Sequence, residues 1–156
     1  MARQRLILLV ATFWVGSLWT IGYVAAPTLF ATLADRVLAG TIAGSLFRVE
    51  AWISLACGVI LLLSMLRPPA ARRGSRKRVL QLVAAMLVCT LIGYFGLQPF
   101  MAAIRQASAI AGGMNGDAKL QFGILHGAAS AIYLVQSLLG ERLVCKLGGP
   151  LIETAA

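Results

Sequence analysis

A few polar residues interrupt an otherwise apolar chain, and their types could do chemistry: Arg48, Glu50, Gln98, Gln121, His126 and Ser130. A carboxylate, a guanidinium and an imidazole can pair with one another, hold an ion or small solute, or carry a proton. His126 is the only histidine, and Ser130 follows it at i+4 on the same helix face. Ionisable groups at membrane depth are costly and face the bundle interior in pairs. The expected cluster is therefore Arg48 or Glu50 with His126 and Gln98. Hydrogen bonds that merely pin helices together account for the same residues, so packing and ligand binding stay open as alternatives. Translocation has less support, because no chain of ionisable residues continues to the opposite side.

Other chemistry finds little footing. There is no nucleophile–base–acid arrangement, no Gly-rich phosphate loop and no pair of carboxylates, so no catalytic residue is assigned and an enzyme is not expected. One histidine cannot supply a bis-His haem within a monomer. Met101 and Met114 with His126 could suit Cu(I), but the set is sparse; no metal ligand is assigned and no cofactor is expected. A haem- or copper-linked redox module is the weakest reading. Cys57 and Cys89 fall within apolar runs and read as small hydrophobes, and with Cys145 they form no CxxC.

The elements that must position these groups are read from hydropathy. The chain has 156 residues, 60% of them hydrophobic, a net charge of +9 and a mean hydropathy of +0.86. Nucleic acid is not an expected partner, since the bases lie at the edges of apolar runs instead of forming a stripe. Four runs approach or exceed the ~20 residues that cross a bilayer core: 6–26, 47–66, 79–99 and 122–139. The predicted fold class is an all-α integral membrane protein, a four-transmembrane-helix bundle in a single domain. The basic start followed by an apolar run resembles a secretory signal. That run is longer than an h-region, and Pro27 follows Ala25-Ala26 at once, so an uncleaved span is expected.

Charge sets the threading. The stretch 67–78 holds Arg67, Arg72, Arg73, Arg76, Lys77 and Arg78 without an acid. With Arg3, Arg5, Arg142 and Lys146, ten of the 14 bases fall on one side, which places both termini in the cytoplasm. In a bacterium that means the inner membrane. Residues 37–46 read as an outer-surface helix leading into the second span, with Gly40 and Gly44 on one small-residue face; either the joined helix protrudes from the membrane or it breaks near 45–48. The tail at Gly148-Gly149-Pro150 reads as irregular.

Two stretches echo each other. Ile21-Gly22-Tyr23 leads to Pro27 and Phe30, and Ile92-Gly93-Tyr94 leads to Pro99. Each proline is expected to end or kink its span at the outer rim. A parallel two-helix repeat explains the echo; chance recurrence of residues common at span ends also does. Gly16, Trp19 and Tyr23 share a face, and Gly123 with Gly127 forms a GxxxG beside His126, both suggesting close helix packing. Counted from the span ends, Arg48, Glu50, Gln98, His126 and Ser130 all fall in the outer third.

These residues resemble the four-span family of transmembrane protein 205 and its bacterial relatives, domain of unknown function 4149. The likeness rests on Ala26-Pro27-Thr28-Leu29-Phe30, on Ala39-Gly40 with Phe47-Arg48, and on 122–130, which opens the fourth span. It implicates Pro27, Phe30, Gly40, Phe47, Arg48, Pro99, Arg105, His126, Gly127 and Ser130, with Asp117 also matching. The chain departs from the pattern at Tyr133-Leu134, where an asparagine is expected before the leucine. The resemblance implies a small membrane protein of unassigned biochemistry, with a link to drug export in animal members. The expected roles are binding or passage of a small solute, metal or lipid, or a non-transporting accessory subunit. The expected partners are the lipid bilayer and a second copy of the chain, with the small-molecule ligand unspecified.

Overall fold

The computed structural model describes residues 2–66 and 73–152 of the chain. Residues 67–72, which carry part of the expected basic loop, lie outside the described residues. Every element described is helical: α1 (Ala2–Trp19), a π-helical segment (Thr20–Ala25), α2 (Ala26–Thr32), α3 (Arg36–Leu66), α4 (Arg73–Thr90), a second π segment (Leu91–Leu97), α5 (Gln98–Ile110) and α6 (Gly116–Ile152). Four continuous rods result, each long and apolar enough to cross a membrane: Arg3–Thr32, Arg36–Met65, Arg76–Ile110 and Gly116–Gly149.

The prolines do not end their helices. A proline inside a helix lacks one N–H, and its ring presses on the carbonyl four residues back. Here the hydrogen-bond ladder shifts before each proline. The Ala26 N–H reaches the Ile21 carbonyl, and the Gln98 N–H reaches the Gly93 carbonyl. Each proline then sits in the first turn of a fresh α-helix, where its missing N–H is least needed. The echo in the sequence is thus an echo in the backbone, a π turn at equivalent places in the first and third rods. Such turns re-aim the helix beyond them.

One open alternative is resolved and one expectation is corrected. No break occurs at 45–48: α3 runs unbroken for 31 residues, roughly 45 Å at the α-helical rise, and begins at an Asp35 cap. The Asp35 carboxylate accepts the Val37 N–H at 2.8 Å and the Leu38 N–H at 3.1 Å. Asn115 caps α6 in the same way, accepting the Ala118 N–H at 2.8 Å, after a turn in which Gly112 and Gly113 take φ of 75° and 155°. The tail at 148–150 is not irregular, since α6 continues to Ile152.

The bundle is solid at one end only. Ile7, Ala11, Trp14 and Val15 of α1, Cys57 and Leu61 of α3, Val79, Val83 and Met86 of α4, and Leu143 of α6 form its buried core. Lipid removes most of the hydrophobic drive for helix association, so van der Waals fit decides it and small residues let helices close up. The glycines that do this are Gly58 and Gly140. A Cβ at Gly58 would stand 2.5 Å from Leu87 Cδ2, and one at Gly140 would stand 2.8 Å from Val15 Cγ2. The glycines singled out by pattern do not: nothing lies within 4 Å of a Cβ added at Gly16, Gly123 or Gly127. Gly140→Ala should therefore lower unfolding stability by about 1–3 kcal/mol through overpacking. Gly127→Ala should stay within about 0.5 kcal/mol of the parent. Reversible unfolding in mixed micelles reads both, and equal losses at the two sites contradict this packing.

Candidate functional site

Above the core the helices part. Between them lies a cavity of about 1110 Å³, walled by α2, α5, the first half of α3, the two π segments and α6. Its lining is largely apolar, including Ala26, Phe30, Ala43, Phe47, Ala51 and Met101. The N-terminal stretches of α3 and α6 open the cavity, while their C-terminal halves pack the core.

A belt of hydrogen bonds forms the boundary between cavity and core. Trp14 Nε1 donates to Ser54 Oγ at 2.7 Å, and Ser54 Oγ donates to Glu50 Oε1 at 3.2 Å, both bonds buried. Tyr133 OH donates to the Leu18 carbonyl at 2.6 Å, and Tyr23 OH donates to Ser137 Oγ at 3.0 Å. Gln136 Nε2 donates to Thr90 Oγ1 at 3.0 Å. The belt ties α1, the first π segment, α3, α4 and α6 at one level. Glu50 is 3% exposed and lines the cavity, yet its second oxygen, Oε2, is buried without a hydrogen-bond partner among the described residues.

The sequence-based cluster is partly assembled and partly dispersed. Glu50, Gln98, Arg105, His126 and Ser130 all line the cavity. No hydrogen bond joins any two of them among the described residues. Arg48 is exposed and does not line the cavity; two helical residues from Glu50, it points roughly 200° away. His126 is exposed and stacks on Phe122, ring centroids 6.0 Å apart at 6°. Pro27 and Phe30 line the cavity, whereas Pro99 is exposed outside it. Met101, Met114 and His126 all reach its wall, and no group of three His, Cys, Asp or Glu gathers anywhere among the described residues.

Because α3 starts at Arg36, Glu50 lies ~21 Å from its first residue and ~24 Å from its last, midway along the helix. Arg105 occupies the wall nearer the rim, where Gly40 and Gly44 make room for it. A Cβ at Gly40 would meet Arg105 Nη1 at 3.6 Å, and one at Gly44 would meet Nη2 at 3.4 Å. Nη1 donates to the Gly40 carbonyl at 3.0 Å. The small-residue face of α3 therefore receives a guanidinium, not a helix backbone.

Tyr133 is the residue pattern reading missed, standing where an asparagine was expected. Its ring packs edge-on to Phe47 at 5.5 Å and to Tyr23 at 6.1 Å, and it leaves room only for glycine at Gly22. Ser54 had a signal, being i+4 from Glu50 on one face, and a buried tryptophan N–H needs an acceptor. Ser54→Ala should cost about 1–3 kcal/mol, because Trp14 Nε1 and Glu50 Oε1 both lose their partner. Ser130→Ala, at an exposed position, should change stability little; comparable losses in the two variants count against the belt.

No curated protein and no solved structure matches the chain. A family model does match, that of Domain of unknown function (DUF4149), over residues 9–109. The match takes in the first π segment, Glu50, Ser54, the second π segment and Arg105, and ends before His126. With more than half of its length matched in this way, the chain belongs to the DUF4149 family.

Proposed function

We propose that this protein holds a hydrophobic or amphiphilic small molecule within the membrane, in the cavity between its four rods. The cavity itself carries the reading. Pockets that enclose drug-sized ligands span ~300–1,000 Å³ and are mostly apolar with a few placed polar groups. This one has about 1110 Å³, with Glu50 at its floor and Arg105 on its wall. The proposed role is binding; Ser54, which donates to Glu50 in the lining, is held in the belt by Trp14 Nε1. The cavity is not a pore: the packed half of the bundle, with Trp14, Leu18, Leu61, Met86 and Leu143 almost fully buried, closes the way beyond the belt. A carrier cycle would require that half to open.

The threading belongs to the same proposal. Both termini face the cytoplasm, the cavity opens toward the outer side, and the bilayer in a bacterium is the inner membrane; the distribution of bases supports this. The likeness of residues 26–30 and 122–130 to the relatives of transmembrane protein 205 supports a link to handling of foreign compounds.

The test is to fill the cavity. Ala129 lines it and is partly buried. Protein purified in lipid nanodiscs should retain hydrophobic molecules detectable by native mass spectrometry, and Ala129→Trp should lose them while keeping its helical circular dichroism. If parent and variant carry the same bound species in the same amounts, the cavity is a packing defect and an accessory, non-binding role takes its place. A reporter fused after Ala156 should be active only in the cytoplasm, and one inserted at 112–113 only on the outer side.

A further inference from the structure

Resting on that cavity reading, we infer that the molecule held there is a lipophilic monocation, its ammonium group seated between the Glu50 carboxylate and the rings of Tyr23, Phe47 and Tyr133. Glu50 is 3% exposed, its Oε1 accepts from Ser54, the Ser17 hydroxyl lies close to the carboxyl group, and Oε2 makes no hydrogen bond among the described residues. A carboxyl group held away from water in the wall of a cavity is suited to an incoming cation, since a buried charge needs a counter-charge.

None of the protein's own bases supplies that counter-charge among the described residues. Arg105 is committed to the Gly40 carbonyl and lies beside Gly40 and Gly44, ~9–15 Å nearer the rim along α3. Arg48 is exposed on another face of the helix, and His126 is exposed against Phe122.

The rings point to the same ligand chemistry. Phe47 stands one turn before Glu50 on α3. Its ring meets Tyr133 at 86°, and Tyr23 meets Tyr133 at 69°. The three aromatic residues line the same cavity as Glu50, and aromatic faces near a carboxylate suit an ammonium group. Both phenol hydroxyls donate elsewhere, Tyr133 to Leu18 and Tyr23 to Ser137, so neither is free to donate to an anion or a neutral acceptor. A divalent metal ion would demand several oxygen ligands, and one carboxylate does not supply them. Arg105 on the same wall disfavours a second positive charge, and the apolar remainder suits a hydrocarbon tail.

The experiment is equilibrium dialysis of the full chain in lipid nanodiscs, with empty nanodiscs subtracted. It uses trimethyl(6-phenylhexyl)ammonium and the uncharged isostere in which carbon replaces nitrogen. The ammonium probe should bind about tenfold more tightly than the isostere. Glu50→Gln should erase that difference by weakening the cation alone, and Phe47→Leu should weaken the cation several-fold. Equal binding of the two probes to the parent overturns the monocation inference while leaving the cavity reading in place. Failure of both probes to bind above empty nanodiscs overturns both. Should Glu50→Gln not fold, the two-probe comparison on the parent protein decides by itself.

Discussion

A polar group with no water near it must find a partner inside the protein, and the belt at the centre of this bundle is organised by that requirement. Trp14, Ser54 and Glu50 form one chain of bonds, Tyr23 and Ser137 a second, and Thr90 and Gln136 a third. Together they fix the level at which five helical segments meet. Below it, side chains interlock around Leu61, Met86 and Leu143. Above it, the helices are free to diverge, because the belt and not a continuous core holds them in register. Glu50 lines the space that this divergence creates, and its Oε2 is buried without a hydrogen-bond partner among the described residues.

The two π segments explain how the divergence is built. Each lies at or next to the belt, ahead of a proline, and each re-aims the rest of its rod. The first brings Gly22 against Tyr133, so that the tyrosine hydroxyl reaches the Leu18 carbonyl. An ordinary α-turn with a larger residue at position 22 would exclude that ring. The equivalent placement of the two π segments also gives the sequence echo a structural counterpart, as a repeated rod design would.

Parts of this were legible in the chain. Four apolar runs, their number and their order follow from length and hydropathy. Glu50, Gln98, His126 and Ser130 stand out together because polar residues are rare here, and Arg105 joins them through the family resemblance. The error at Arg48 is one of helix phase, since neighbours in sequence can face opposite ways. Proline allows an end or a kink, and the sequence does not choose between them, since a shift of the ladder to i−5 leaves little trace in composition.

The sequence by itself determined that the chain is a helical membrane protein with four spans and a sparse set of polar groups. It could not determine which face of each helix looks inward. In a soluble protein the boundary between apolar and polar faces answers that question. Here lipid outside and core inside are equally apolar, so the pattern carries little phase information. Exposed Leu9, Phe13, Leu63 and Leu138 read no differently from buried Leu18, Leu61 and Leu143. Only specific fit decides between them: the approach allowed at Gly58 and Gly140, the ring of Tyr133 against Gly22, and the Trp14–Ser54–Glu50 chain. That fit placed Glu50 at the floor of a cavity and turned Arg48 away from it.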